Sequence, residues 1–562
     1  MKRIREIFES RIGFSVLTNM LVMVVSLLLF RPFWEEADDI NMAFLAEGAY
    51  GYNEPHLLYF NYLYGKMLCF FQSILPVIRW HAVIMYAFVF VLSTTFVYMI
   101  AKDMRGKIIS TIFLLGSFYE IYISFQFSKV ATFVGMISYM IMFELILRDS
   151  TFSKRRFVGI IAFLGVTYSH LLRWESFGLA TIVSGTYGIC LVVQLILKKE
   201  FLKKIKSFCL FFIPVFVVFA VCFVINIWAY EGGEWKEYRQ YFNSISKIVD
   251  YHYNALLYDL HGNELEKIGI TENDANMLIT YESVGDVLPE ELMESVCNLD
   301  NKGVNIVNTD FIKAWIANIH GEIFTFNTLA LAMAMLIGVL VIAIFREQDR
   351  NMHAADLLIQ ILIAFVVLFY YQYSSRWSHR VVYSLMLAQF VLLVYVCYGL
   401  EKPVLNDYLA GAVISVLLFV CIGSRLTNEF AFRDFERNSY DYKAIIDYMK
   451  GNKDRLFIGD VFTMIDYDKY NIFLAADRGQ FDNYISADAV FLSNSPIEKM
   501  IAGKYGYKGP FDALRARDDR VILIDSLSPE SELVYCNEHG DGGEYRLIRL
   551  ETVGDIDLYS IR

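Results

Sequence analysis

No stretch of the chain carries a basic patch beyond the short Lys/Arg clusters beside its apolar runs, which argues against nucleic-acid binding. The eight cysteines are scattered, most of them inside apolar runs and without CxxC spacing. They indicate neither a metal cluster nor a disulfide framework. Internal repeats and low-complexity segments are lacking as well. The N-terminal MKRIREIFESR and the apolar run behind it have the outline of a signal peptide. No small-x-small cleavage site precedes Phe33, however, so the run is expected to stay as a first span.

What the sequence has is apolar length. Of 562 residues, 56% are hydrophobic, a composition no soluble globular class of this size shares. Several runs reach the roughly 18–20 apolar residues that cross a hydrocarbon core. The net charge of −11 says little, because acids and bases are segregated along the chain. The pattern predicts a polytopic α-helical membrane protein with about eleven transmembrane helices. The spans fall near 13–31, 80–101, 108–125, 130–147, 157–170, 175–197, 207–229, 327–345, 355–372, 381–400 and 407–424. A further apolar segment, 57–78, carries a stripe of polar or small residues at Asn61, Gly65, Cys69, Gln72/Ser73 and Pro76. Such a stripe suits a helix lying in the interface rather than crossing it.

Sidedness supports that choice. With eleven spans and a cytoplasmic N-terminus, the Lys/Arg-rich loops KDMRGK (102–107), RDSTFSKRR (148–156), KKEFLKKIK (198–206) and REQDR (346–350) all fall on the cytoplasmic side. Counting 57–78 as a span would place all four on the wrong face. The same parity puts EEADD (35–39), FQFSK (125–129), HLLRWES (170–176), YQYSSRWSHR (371–380), loop 230–326 and the tail 425–562 outside. The expected organisation is a transmembrane module 1–229 with its first external loop at 32–79, a mainly helical, acidic extracytoplasmic loop 230–326, further transmembrane helices in 327–424, and an extracytoplasmic α/β domain 425–562. Alternating segments 455–462, 520–526 and 544–551 are the expected strands of that domain.

The chemistry-bearing residues gather on that outer face. Asp38 and Asp39 follow the first span, where a carboxylate can take a proton from a hydroxyl brought to the surface. Lys129, Arg173, Arg376 and Arg380 all break the positive-inside bias. Any one of them fits a side chain snorkelling to headgroups; four on one face favour a shared anion site, and the planar fork of Arg suits phosphate. The span 157–170, about 21 Å long at the usual rise, is short enough to set His170, Arg173, Trp174 and Glu175 below the outer surface, lining a cavity. Glu47, His56, Glu120, His170 and Glu175 are the candidates for the cavity wall or the acceptor. Glu144 is expected to meet water at the cytoplasmic end, and His81 to be a solvated interfacial ring. A base, phosphate-binding cations and a cavity open to lipid suit sugar transfer from a polyprenyl-phosphate donor with inversion, Arg and Lys stabilising the leaving phosphate.

The layout resembles integral-membrane glycosyltransferases of the GT-C type, the group that includes protein O-mannosyltransferases, aminoarabinose transferases and bacterial relatives acting on surface polymers. EEADDINMAFLAEG and EPHLLYFNYLYGKML look like that group's first external loop, and FQFSKVATFVG, HLLRWESFGLA and SSRWSHRVVY are similar to stretches of its bacterial members. The resemblance covers roughly 10–400. It implies Asp38 as the catalytic base, with Asp39 second to it, and external basic residues on the donor phosphate. The implied partners are a polyprenyl-phosphate-sugar donor, membrane lipid and a glycan, lipid or protein acceptor. No cofactor is required, and a divalent cation at the acidic loop is compatible with its four acids. Two other classes compete: a transporter or flippase of lipid-linked sugars, which normally shows inverted repeats, and a scaffold binding wall polymer, which leaves the external cations unexplained.

Overall fold

The computed structural model describes residues 10–147, 152–300, 309–323, 327–345, 350–374, 376–400, 411–412, 414–420, 423, 442–460, 471–525 and 529–562. The expected loops 148–156 and 346–350 and the eleventh span, 407–424, lie partly or largely outside these residues.

Helices follow the apolar runs: α1 (Arg11–Leu29), then α2 (Ala37–Glu47) and α3 (Tyr62–Ile74) in the first loop. Next come α4 (Trp80–Ile100), α5 (Met104–Phe118), α6 (Phe127–Leu147), α7 (Phe152–Leu172), α8 (Trp174–Leu197) and α9 (Phe201–Ala229). Loop 230–326 folds into α10 (Gly233–Tyr251), α11 (Tyr258–Lys267), α12 (Glu272–Ile279), α13 (Glu290–Asp300) and α14 (Thr309–Ile323). The chain then re-enters the bundle as α15 (Thr328–Ile344), α16 (Arg350–Tyr373) and α17 (His379–Gly399). Among the described residues seven helices are long and apolar enough to cross a membrane, and three shorter apolar stretches, Arg156–Leu172, Thr328–Ile344 and Leu357–Tyr373, accompany them. These ten coincide with ten of the expected spans. The chain is a multi-pass membrane protein.

At the bundle centre lies α6, almost wholly buried, while α9 presents Phe216, Val224 and Trp228 outward. An apolar surface of that kind is tolerated only against lipid or a partner. Close approach around α6 uses small residues: a Cβ at Gly135 would stand 2.7 Å from Ser169 Oγ. In α3 the polar stripe turns inward, with Gly65 and Gln72 buried and Phe70 and Ile74 exposed. Its 13 residues reach about 20 Å, too short to cross. Helix α7 runs through 21 residues, but its apolar part is the shorter stretch Arg156–Leu172, close to the short span expected at 157–170.

The first loop is pinned at both ends. Phe33–Trp34 (β1) pairs in parallel with Ser124–Phe125 (β2), which follows a single π-helical turn, Tyr119–Ile123. Asp38 and Asp39 stand in the first turn of α2, where negative charge meets the positive end of the helix dipole. Gly48, at φ +81°, closes the same helix in the left-handed conformation glycine favours. Every residue from Asp39 to Glu47 is buried. The segment INMAFLAEGAYG is therefore not interfacial: it is enclosed between the bundle and the tail.

That enclosure comes from the α/β domain. Its helix α18 (Tyr442–Gly451) precedes β3 (Leu456–Gly459) and β4 (Tyr484–Ser486). After α19 (Pro496–Lys504) and α20 (Pro510–Arg515) come β5 (Val521–Ile524), α21 (Pro529–His539), β6 (Leu547–Val553) and β7 (Ile556–Ile561). The sheet order is β4-β3-β5-β7-β6, with β3 parallel to β4 and β5, and β7 antiparallel to β5 and β6. The three expected strands are β3, β5 and β6; β4 and β7 are additional. Before β4 the segment 471–481 threads across the first loop. Arg79 donates from Nε to Glu47 Oε1 at 2.7 Å and from Nη1 to Asn471 O at 2.7 Å, while Ala476 N–H donates to Glu47 Oε2 at 2.7 Å. Gly479 and Phe481 donate to the carbonyls of Gly48 and Ala49. Loop 230–326 docks on the same domain, where Ser283 N–H donates to Ala487 O at 2.7 Å and Tyr535 Oη to Val284 O at 2.8 Å.

Two predictions follow from this packing. Glu47→Ala leaves the Arg79 guanidinium buried and unpaired, so it should cost about 3–5 kcal/mol and lower the unfolding temperature in detergent. Separately, burial and the Asp525 and Asp460 carboxylates push Glu282 up to about 8. A carboxyl raised in the folded state contributes stability that is full below its ordinary range and lost as pH rises toward 8. The wild type should therefore lose stability between about pH 5 and pH 8 more steeply than Glu282→Gln, as thermal unfolding across that range will read.

Candidate functional site

The acidic stretch and the external cations meet at one end of the bundle. Arg380, at the start of α17, is hydrogen-bonded to Asp38 and has Glu36 at 3.7 Å. Burial raises the Glu36 carboxyl against the pull of that guanidinium. Asp38 itself is about one-fifth exposed (22%), the least enclosed of the loop's aspartates. Tyr59, whose hydroxyl is pushed well up by burial and the Asp38 charge and drawn down by Arg380, lies between this pair and a cavity of about 540 Å³. The cavity is walled by the α7–α8 junction and by α10, and Arg376 reaches into it from the turn before α17.

The expected residues divide by position. His170, Arg173, Glu175 and Arg376 line the cavity. Arg173 sits in extended conformation between α7 and α8, with its guanidinium over the Phe127 ring at 4.8 Å and Nε 3.4 Å from Glu175. Arg376 donates from Nη2 to Asp250 at 3.0 Å and lies over the Tyr251 ring. His170 is buried, and neither ring nitrogen has a hydrogen-bond partner among the described residues.

Others are used up inside the protein. Asp39 is fully buried, accepts the Phe127 N–H at 3.2 Å and meets His81 Nε2 at 3.0 Å. Burial first, and the Asp38 charge next, hold its carboxyl well above the ordinary range. His81 also reaches Tyr64 Oη at 3.0 Å and stacks on Trp34, so it is a buried bridge and not a solvated ring. Lys129 is equally buried. Its ammonium contacts Glu35 and donates to Glu120 at 2.7 Å and Ser124 Oγ at 3.1 Å, away from the cavity lining. Burial works to raise Glu35, yet Lys129 outweighs it and the carboxyl is lowered. Lys129 and Glu120 thus neutralise one another and leave nothing for a phosphate or an acceptor. Glu47 belongs to the Arg79 clamp. His56 packs on Trp235 with centroids 4.4 Å apart, between Glu54 and Ala229 O, and does not line the cavity. Glu144 is buried, 3.2 Å from both Lys102 Nζ and Tyr395 Oη, where water was expected.

Glu35, Glu120 and His379 present ligand atoms within 4.8 Å of one another, a spacing a cation would accept. Lys129 already lies against both carboxylates, so a metal there has to displace a buried ammonium.

Below the cavity an apolar groove of about 470 Å³ runs between α6, α8 and α9, lined by Phe143, Phe177, Gly185, Gly188, Phe212 and Phe219. His170 stands between the two: it lines the cavity, and its ring is 4.6 Å from Phe219 of the groove, which stacks on Phe223 of the cavity wall. The sequence reading passed over Tyr59, Asp250, Arg239 and Lys247. For the last three the signal was there, in polar residues at 239, 243, 246, 247 and 250 that recur at helical spacing along α10.

No family model and no curated protein matches the chain. Along its length it is similar to two crystal structures of ArnT from Cupriavidus metallidurans. The one bound to undecaprenyl phosphate shares 10% identity at a TM-score of 0.35 over 97% of each chain. The one in the apo state shares 10% identity at 0.36, over 96% of this chain and 97% of that one. Superposition at that level assigns no role to any residue.

The geometry separates the two aspartates. Asp39→Asn, which mimics the protonated carboxyl, should leave unfolding temperature and activity close to wild type, while Asp38→Asn should lose activity without loss of stability. Thermal unfolding and turnover measured on both variants check the pair.

Proposed function

We propose that the protein is a membrane glycosyltransferase that moves a sugar from a polyprenyl-phosphate donor to an acceptor outside the cytoplasm. The observation that carries this reading is the pairing of Asp38 with Arg380 beside Tyr59, a wall residue of an arginine-lined cavity that neighbours an apolar groove. The acceptor hydroxyl gives its proton to Asp38. Its oxygen attacks the anomeric carbon from the face opposite the phosphate, the bond from that carbon to the phosphate oxygen breaks, and configuration inverts. The carrier phosphate leaves with the added negative charge, which Arg173 and Arg376 receive as preorganised donors. Arg380 is a positioning residue that fixes the direction of the Asp38 carboxylate. The tail and loop 230–326 stand on the outer side and the N-terminus on the inner one, so cysteine probes at 440 and 270 should label from outside and one at 203 should not.

The groove supplies the place for the isoprenoid tail, and it can be blocked selectively. A Cβ at Gly185 meets nothing within 4 Å, so Gly185→Leu starts into open space on the groove wall. Asp38→Asn should cut transfer by about 10²–10⁴-fold, the usual worth of a general base. Gly185→Leu should weaken use of a long-chain donor while a two-isoprene donor is used as before. Full transfer by Asp38→Asn, measured with radiolabelled lipid-linked sugar, ends the general-base assignment.

A further inference from the structure

The cavity lining holds two more basic than acidic side chains. Four basic side chains face it, Arg173, Arg239, Lys247 and Arg376, against two acidic ones, Glu175 and Asp250. Both acids are already committed, Glu175 to Arg173 and Asp250 to Arg376. Arg239 and Lys247 have no carboxylate partner among the described residues; Arg239 rests over the Tyr230 ring at 5.2 Å. Both stand on α10, eight residues apart on one helix face and so about 12 Å from each other along the axis. That face is a wall of the cavity because the opposite one, Tyr238, Ile245, Ile248 and Val249, is buried. Two unpaired cations facing a semi-enclosed hollow repel one another and favour an anion between them.

We infer that α10 forms a second anion subsite, and that the acceptor entering this cavity carries a negative group of its own, a phosphate or a carboxylate. The inference rests on the lipid-donor reading for the first subsite only. In it Arg173 and Arg376 hold the carrier phosphate, and Arg239 with Lys247 hold the acceptor's anion. A neutral glycan leaves those two charges unmatched and is discriminated against, so loop 230–326 acts as the selector of the acceptor.

The test uses the full chain in nanodiscs and four probes: glycerol 3-phosphate, glucuronic acid, glucose and a polyprenyl phosphate, with affinities read by calorimetry. Wild type should bind one or both anions, the tighter of them identifying the group, and bind glucose at least about tenfold more weakly. Arg239→Gln with Lys247→Gln should weaken the anion about tenfold or more and leave polyprenyl phosphate unchanged; Arg376→Ala should do the reverse. Were the double variant to fold poorly, salt on the wild type serves instead, since anion affinity should fall as ionic strength rises while any glucose affinity holds. Equal affinity for glucose and the anions, or anion binding untouched by the double variant or by salt, overturns the subsite. Failure of wild type to bind polyprenyl phosphate with the anion arm intact overturns the lipid-donor reading and leaves the subsite standing.

Discussion

Four carboxylates within five residues, set against the low-dielectric end of a helical bundle, repel one another and each resists burial. The loop holds together because every one of them meets a donor from elsewhere in the fold. Lys129 takes Glu35; Arg380 takes Glu36 and Asp38; His81 and the Phe127 amide take Asp39. These donors come from α4, α6 and α17, so neutralising the acidic stretch ties three spans to the first loop. The order of the site thus follows from a local electrostatic necessity. Asp38 and Glu36 keep partial access, 22% and 34% of their side chains, while Asp39 is sealed.

The tail domain completes this arrangement from the other side. Glu47, at the last turn of α2, is held by Arg79 and by an amide of segment 471–481, so the helix bearing Asp38 is fixed at its C-terminal end by a domain over 400 residues away in sequence. A buried ion pair is weak evidence of net stabilisation, but breaking one is costly.

Much of this was legible in the sequence, and the rest was not, for physical reasons. Apolar run length and the Lys/Arg bias are summed over many residues, so ten of the spans came through clearly. What single-residue anomalies hide is partnership. Lys129 and Arg376 look alike as external cations, yet one is sealed between two glutamates and the other faces a cavity. Nothing local in FQFSK announces Glu35 and Glu120 as its neighbours, because they arrive from other segments. Strand β4 escaped notice for a related reason: it is three residues long and wholly buried, without the alternation that marks a half-buried strand. The acidic average of loop 230–326 concealed the basic stripe on α10, since composition adds up what a helix separates onto two faces.

The division of labour among the cations is then a matter of what each can still bind. A guanidinium already saturated by a carboxylate inside the fold orients that carboxylate; one paired at the rim of a hollow can exchange its partner for a ligand at modest cost; one with no partner attracts an anion from solution. Arg380, the Arg173/Arg376 pair and Arg239 with Lys247 occupy these three conditions in turn, and in the proposed reaction they serve the base, the carrier phosphate and the acceptor. On that proposal the charge grades from enclosed to open, with the lipid on the side of the groove and the acceptor on the side of α10. Inversion then requires the acceptor hydroxyl to reach the donor's anomeric carbon from the side away from the carrier phosphate.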